Sequence, residues 1–224
     1  GELGALADAV DASGDDAAIG RAELMAARAR EARGAPDEAA EHARRAVEAW
    51  ERAGARADLL RGRVELGRLL LVAGDADEAE PLLRSTLGEL EQAGHRHLEA
   101  LAVMHLGEIE RARERAEDAE RDLSRALEIF EEDGAAREAM RAGRLLGELA
   151  LDQGRLIEAD RRFQDALQGA LAQRAAAHAV AAAVGRARVA WLRGHHDWAL
   201  GILEAAAEHR SLDPETARRV EEAR

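Results

Sequence analysis

The sequence predicts an all-α chain, a solenoid of antiparallel helix pairs, and three observations carry that prediction. Small residues recur every 40 positions along the chain. Between them, leucine and alanine recur at three- and four-residue steps, the period of a buried helix face. Aromatic residues make up only 2% of the chain and β-branched residues are scarce, so strands are not expected.

The repeat is clearest in the run Gly34-Ala-Pro-Asp-Glu-Ala39, which returns as Gly74–Ala79, Gly154–Ala159 and Gly194–Ala199, with a copy at Glu114–Ala119 that lacks the glycine. Alanines therefore stand at 39, 79, 119, 159 and 199. Twelve residues earlier stand Ala27, Gly67, Gly107, Gly147 and Ala187; four later, Ala43, Leu83, Leu123, Phe163 and Leu203; seven later, Ala46, Thr86, Ala126, Ala166 and Ala206. A second glycine column holds Gly14, Gly54, Gly94 and Gly134, and continues as Arg174 and Pro214.

Each element follows from these columns. The first glycine column ends helix A of a pair, since glycine accepts the left-handed conformation past a helix C-terminus. Helix B starts one residue later. Asp75 is expected to cap it in the second unit, with Glu78 closing a capping box. Pro36 suits the first turn in the first unit, where a missing N–H costs nothing. The small residues let helices A and B approach closely, and the second glycine column ends helix B. Five units result, at about 20–59, 60–99, 100–139, 140–179 and 180–213. Residues 1–13 align with the end of a helix B, and residues 214–224 with the start of a helix A capped by Asp213 and opened by Pro214. Residues 1–224 are thus read as a single solenoid. Its ends fall inside repeats, and it opens on Gly1, as in a trimmed fragment of a longer protein or one whose end is buried by dimerisation.

Charge and composition narrow the function. The chain of 224 residues carries a formal net charge of −13, which weighs against generic nucleic-acid binding and against an anionic membrane surface. It has no cysteine, which excludes disulfides and thiolate metal sites. It contains no apolar run of about 18 residues, so a cytoplasmic protein is expected. Every basic side chain other than histidine is arginine, which with the abundant alanine suggests a GC-rich bacterial genome.

These columns resemble the tetratricopeptide repeat (TPR) family, with Gly or Ala at its eighth position and Ala at its twentieth and twenty-seventh. The leucine preceding the eighth position is matched by Leu66, Leu106 and Leu146, but not by Ala26 or Arg186. The usual period is about 34, and six added residues lengthen each hairpin by about 9 Å of helix shared between its arms. Glu51, Glu91 and Glu131 stand where the family has a proline. This longer form is similar to repeats attached to large bacterial signalling and transcription regulators. The resemblance implies a right-handed superhelix whose concave groove, lined by helix A, binds proteins or peptides.

The family's second, fifth, ninth and twelfth positions of helix A give the candidate groove. They are Arg21, Leu24, Arg28 and Glu31; Arg61, Val64, Arg68 and Leu71; Leu101, Met104, Glu108 and Arg111; Arg141, Arg144, Glu148 and Leu151; and Ala181, Val184, Arg188 and Trp191. Arg21 stacks over Arg61 and Arg28 over Arg68. Such arginines either hold the carboxylates of an acidic partner or pair with neighbouring glutamates. The family's chaperone-tail clamp needs asparagine at the ninth position, and no unit has it. Trp191 either anchors a partner or packs under a following helix, Trp50 belongs to the core, and Trp198 is partly exposed.

No catalytic signature occurs. His95 and His97, and His195, His196 and Asp197, are read as turn residues too far apart to share a metal, so neither a metal nor a cofactor is expected. Glu41–Arg45, Glu117–Arg121 and Glu158–Arg162 have the spacing of surface helix pairs. The expected function is a non-catalytic protein-interaction scaffold or sensor in a bacterial regulator. The alternative is self-assembly as a homodimer through its ends; an enzyme has little support.

Overall fold

The computed structural model describes residues 15–207. The partial helices expected at 1–13 and 214–224, together with Gly14, Asp213 and Pro214, lie outside the described residues. Ten helices are described: α1 Asp16–Glu31, α2 Pro36–Ala53, α3 Arg56–Ala73, α4 Ala76–Ala93, α5 Arg96–Ala112, α6 Ala116–Glu132, α7 Ala136–Asp152, α8 Leu156–Ala172, α9 Ala176–Leu192 and α10 His196–Ala207. No strand occurs among the described residues.

One turn is reused at the end of each helix from α1 to α9. Its key residue has positive φ, and it is glycine at 34, 54, 74, 94, 134, 154 and 194. The following residue donates its N–H to a carbonyl five residues back, as Ala55 does to Trp50 at 3.0 Å and Asp75 to Leu70 at 2.8 Å. That bond satisfies a carbonyl which the end of the helix leaves open. Glu114 (φ 60°) and Arg174 (φ 53°) take the same conformation without being glycine. The turn around them is intact, with Arg115 bonding Glu110 at 2.9 Å and Ala175 bonding Ala170 at 2.8 Å.

Helix starts differ more from expectation. Asp15 caps α1, its carboxylate accepting from the Ala18 N–H at 3.1 Å. Pro36 opens α2 as expected. Asp75 does not cap α4 with its side chain. Its ψ of 56° lies well short of the 90° at Asp15, away from the extended backbone that aims a cap side chain at the helix. Glu78, the other half of the expected box, accepts from Arg44 of α2 at 2.8 Å instead. Pro81 sits exposed inside α4.

The chain divides at Ile109 and Glu110 into two compact bodies. In the first, α1 packs on α2, α2 on α3 and α3 on α4. Its core is Trp50, Leu60, Leu69, Leu70, Leu83 and Leu90, all at most 2% exposed. A side chain of this size contributes about 1.5–3 kcal/mol on burial. Trp50 is core, as read from the sequence, and it is wedged between Gly20 of α1 and Gly62 of α3. A Cβ at either glycine would stand 2.5 Å from the indole. Gly67 leaves room for Leu83 in the same way, at 2.6 Å.

In the second body α6 to α10 pack in succession, and α7 also meets α9. Phe163 is fully buried, and a Cβ at Gly185 would come within 2.5 Å of its ring. Arg186 is also buried, at 1% exposure, in the column that holds leucine in three other units. Its Nε donates to Asp160 of α8 at 3.0 Å, and its guanidinium lies 5.4 Å from the centre of the Trp198 ring. One guanidinium nitrogen, Nη2, has no hydrogen-bond partner.

Of the three expected surface pairs, Glu41–Arg45 forms, at 3.5 Å. Arg121 turns instead to Asp118 and Asp122 at 2.6 and 3.0 Å, and Glu158 is taken by Arg155 at 2.7 Å. Such exchanges cost little, because exposed pairs contribute only about 0–1 kcal/mol.

Candidate binding groove

In the first body the exposed faces of α1 and α3, the start of α5 and the α4–α5 turn enclose a groove of about 600 Å³. Leu24 and Arg28 come from α1, Arg61, Val64 and Glu65 from α3, and Leu98 and Leu101 from α5. Gly94 and His95 of the turn, with Arg96 and His97 at the start of α5, close one side. Helical spacing explains the convergence: residues four apart on α1, and three and four apart on α3, share a face. Four expected groove residues, Leu24, Arg28, Arg61 and Val64, thus meet in one place.

The arginines divide between the two alternatives. Arg28 and Arg61 are exposed and pair with no described residue, and the same is true of Arg21 and, in the second body, Arg188. Arg68 is internally neutralised. Its two terminal nitrogens donate to Glu31 at 2.6 and 2.7 Å, and its Nε donates to Glu65 at 3.0 Å. Bonding to Glu31 above all, opposed by burial and reinforced by Glu65, raises its pKa far above the ordinary arginine value. Arg111 is held by Glu148 at 2.8 Å and Asp152 at 2.7 Å, and Arg144 bonds Glu148. Arg141 is half-buried.

The apolar candidates divide too. Met104 is fully buried, so it packs the interior rather than lining an open face. The whole stretch from Ala102 to Gly107 is buried, and family spacing alone does not reveal that. Leu71 is half-buried and packs against the first body's core. Val64 is only 4% exposed yet reaches the groove wall. Trp191 is 59% exposed, and its ring lies 4.4 Å from that of His196 at an interplanar angle of 60°.

Sequence reasoning missed the α4–α5 turn as a wall, because it placed the site on helix A alone. His95 and His97 belong to that wall. In the second body His178 has a lowered pKa, from burial first and then from Arg144, Arg137 and Arg141 of α7, with Glu138 opposing.

The path of the helices and the turn repeated at each of their ends place the chain among known architectures. Its structure is similar to the TPR-like repeats of a Podosopora anserina kinesin light chain-like protein, at TM-score 0.62 and 18% identity, covering 85% of this chain and 97% of that one. A single-substitution variant of that protein gives TM-score 0.63 and 18% identity, covering 88% and 96%. BtubC (BKLC) from P. vanneervenii matches at TM-score 0.67 and 19% identity over 99% of this chain and 86% of that one. The chain has a TPR-like fold. The TPR-like helix pairs here carry the 40-residue period of the sequence. No family model matches the sequence, and no curated protein matches it.

Proposed function

We propose that the chain is a non-catalytic protein-interaction module that binds a peptide or protein along the helix-A face. In this reading residues 1–224 act as one TPR-like solenoid of five units, within a larger cytoplasmic regulatory protein of a bacterium. The observation that carries it is the groove of the first body, where Arg28 and Arg61, which pair with no described residue, stand beside Leu24, Val64 and Leu101. A concave site combining apolar walls with a few placed polar groups is the usual form of a recognition site. Exposed arginines and an exposed tryptophan, such as Arg188 and Trp191, are the residue types that dominate binding energy at interfaces. The regulatory setting rests on the similarity of the 40-residue repeat to bacterial regulators.

The test compares the chain with an Arg21→Glu/Arg28→Glu/Arg61→Glu/Arg188→Glu variant. A partner captured by the wild type is cross-linked to the helix-A face, and the variant loses it. Capture unchanged in the variant would remove this reading.

Self-assembly is a second reading, favoured by one observation. Trp191 and Leu192 are each 59% exposed, Leu200 54% and Leu203 41%, all on α9 and α10. Light scattering over a concentration series decides it, and a mass fixed at one chain at all concentrations excludes it.

A further inference from the structure

We infer that the groove of the first body takes a peptide carboxylate set beside an aliphatic side chain, and that Glu31 and Glu65 fix where the site ends. This deepens the interaction reading and rests on it.

The argument starts from charge. In a chain of net charge −13, carboxylates outnumber arginines, and many exposed arginines, Arg45, Arg52, Arg56, Arg84 and Arg121 among them, pair with one. Arg28 and Arg61 pair with no described carboxylate, although both line the same groove. The acid that lines the groove is Glu65. Both its oxygens are occupied by Arg68, Oε2 by Nε and Oε1 by Nη2, each at 3.0 Å. Glu31 occupies the same guanidinium from the other side. The acid that could have neutralised the groove is thereby committed elsewhere, and two cations are left facing it.

A guanidinium binds a carboxylate through paired hydrogen bonds. Leu24, Val64 and Leu101 supply the apolar wall for a neighbouring side chain. A phosphate dianion suits the groove less, because it would bring two negative charges rather than one up to the Glu65 carboxylate that lines it. The preferred occupant is an extended peptide with alternating aliphatic and acidic residues. Beyond Arg61 the site stops, because Arg68 is already satisfied.

The experiment uses the 224-residue chain and fluorescence anisotropy with three labelled peptides. One alternates leucine with glutamate, the second leucine with glutamine, and the third leucine with phosphoserine. The glutamate peptide is expected to bind at least tenfold tighter than the glutamine peptide, and tighter than the phosphoserine peptide. Raising the salt should narrow the first gap. Arg28→Gln/Arg61→Gln should erase the preference while leaving the circular dichroism spectrum and melting temperature unchanged, since neither side chain pairs with a described residue. Arg121→Gln, on α6, should keep it. Glu31→Gln, which loosens the hold on Arg68, should tighten glutamate-peptide binding severalfold.

Equal binding of the glutamate and glutamine peptides, tighter binding of the phosphoserine peptide, or a preference that survives the double variant would overturn the carboxylate assignment. Unchanged or weaker binding by Glu31→Gln would overturn the assigned limit. These failures are separable from failure of the broader reading, which falls only if partner capture ignores the helix-A face.

Discussion

Glu114 holds a backbone conformation that its side chain disfavours, and removing the side chain should stabilise the protein. Its φ is 60°, whereas the matching positions of the other units are Gly34, Gly74, Gly154 and Gly194, at 73°, 94°, 73° and 84°. An L-residue in the left-handed region costs about 1–2 kcal/mol. Glycine there removes that cost but makes the unfolded chain more flexible, which returns about 0.4–1 kcal/mol. The side chain is exposed and pairs with no described residue. The bonds of the turn are made by backbone, Glu114 N–H to Arg111 at 3.0 Å and Arg115 N–H to Glu110 at 2.9 Å, so they persist. The net gain for Glu114→Gly is about 0.5–1 kcal/mol. For a chain of this size that raises Tm by roughly 1–4 °C. The assay is thermal unfolding by circular dichroism, with Glu114→Ala as control, because alanine keeps the Cβ and so most of the strain. Arg174→Gly, at φ 53°, should add a similar increment. A glycine variant that melts no higher than wild type, or an alanine variant that gains as much, would refute the strain argument.

Other outcomes follow from packing and charge. Gly185→Ala should cost about 1–3 kcal/mol, because the added carbon would meet the Phe163 ring at 2.5 Å; Phe163→Leu should recover part of that loss in a double-mutant cycle. Asp160→Ala should destabilise by about 3–5 kcal/mol, since it strands the buried Arg186, whereas Arg186→Leu should cost far less; comparable losses in urea unfolding would contradict this. His178 has a folded-state pKa below its ordinary 6.5. The neutral ring is therefore favoured on folding, and its contribution is fully present above pH 6.5 and declines as the pH falls through the lower folded value. Melting temperature should drop across that interval in the wild type and drop less in His178→Gln, and an NMR titration should place His178 below the exposed histidines.

The period was readable because the left-handed turn accepts few residues, so glycine betrays it at seven of its nine described positions. Where Glu114 and Arg174 occupy the turn, only the spacing reveals it. The groove was partly readable. Position along helix A located Leu24, Arg28, Arg61 and Val64, but the wall from Gly94 to His97 lies on a turn and the first residues after it, which the repeat pattern treats as a connector. Met104 was misplaced because the stretch from Leu101 to Leu106 is apolar apart from His105, so little in the pattern separates the inner from the outer side. Which arginines stay unpaired was not readable either. Arg68 is claimed by Glu31, a residue 37 positions away, and that pairing depends on how neighbouring helices meet. Asp75 had the composition of a cap, but not the backbone angle that makes one.

The buried Arg186 makes the units non-interchangeable. It depends on Asp160 in the helix before it, and the residues one, two and three periods back from Asp160 are Glu120, Glu80 and Ala40. Transplanted behind the second or third pair, the fifth would still find an acid. Behind the first it would face alanine, leaving a cation sealed away from water. Module order in this protein is thus constrained by a single side chain, and any attempt to shuffle, duplicate or shorten the array must keep the fifth pair behind one that supplies an acid at the Asp160 position.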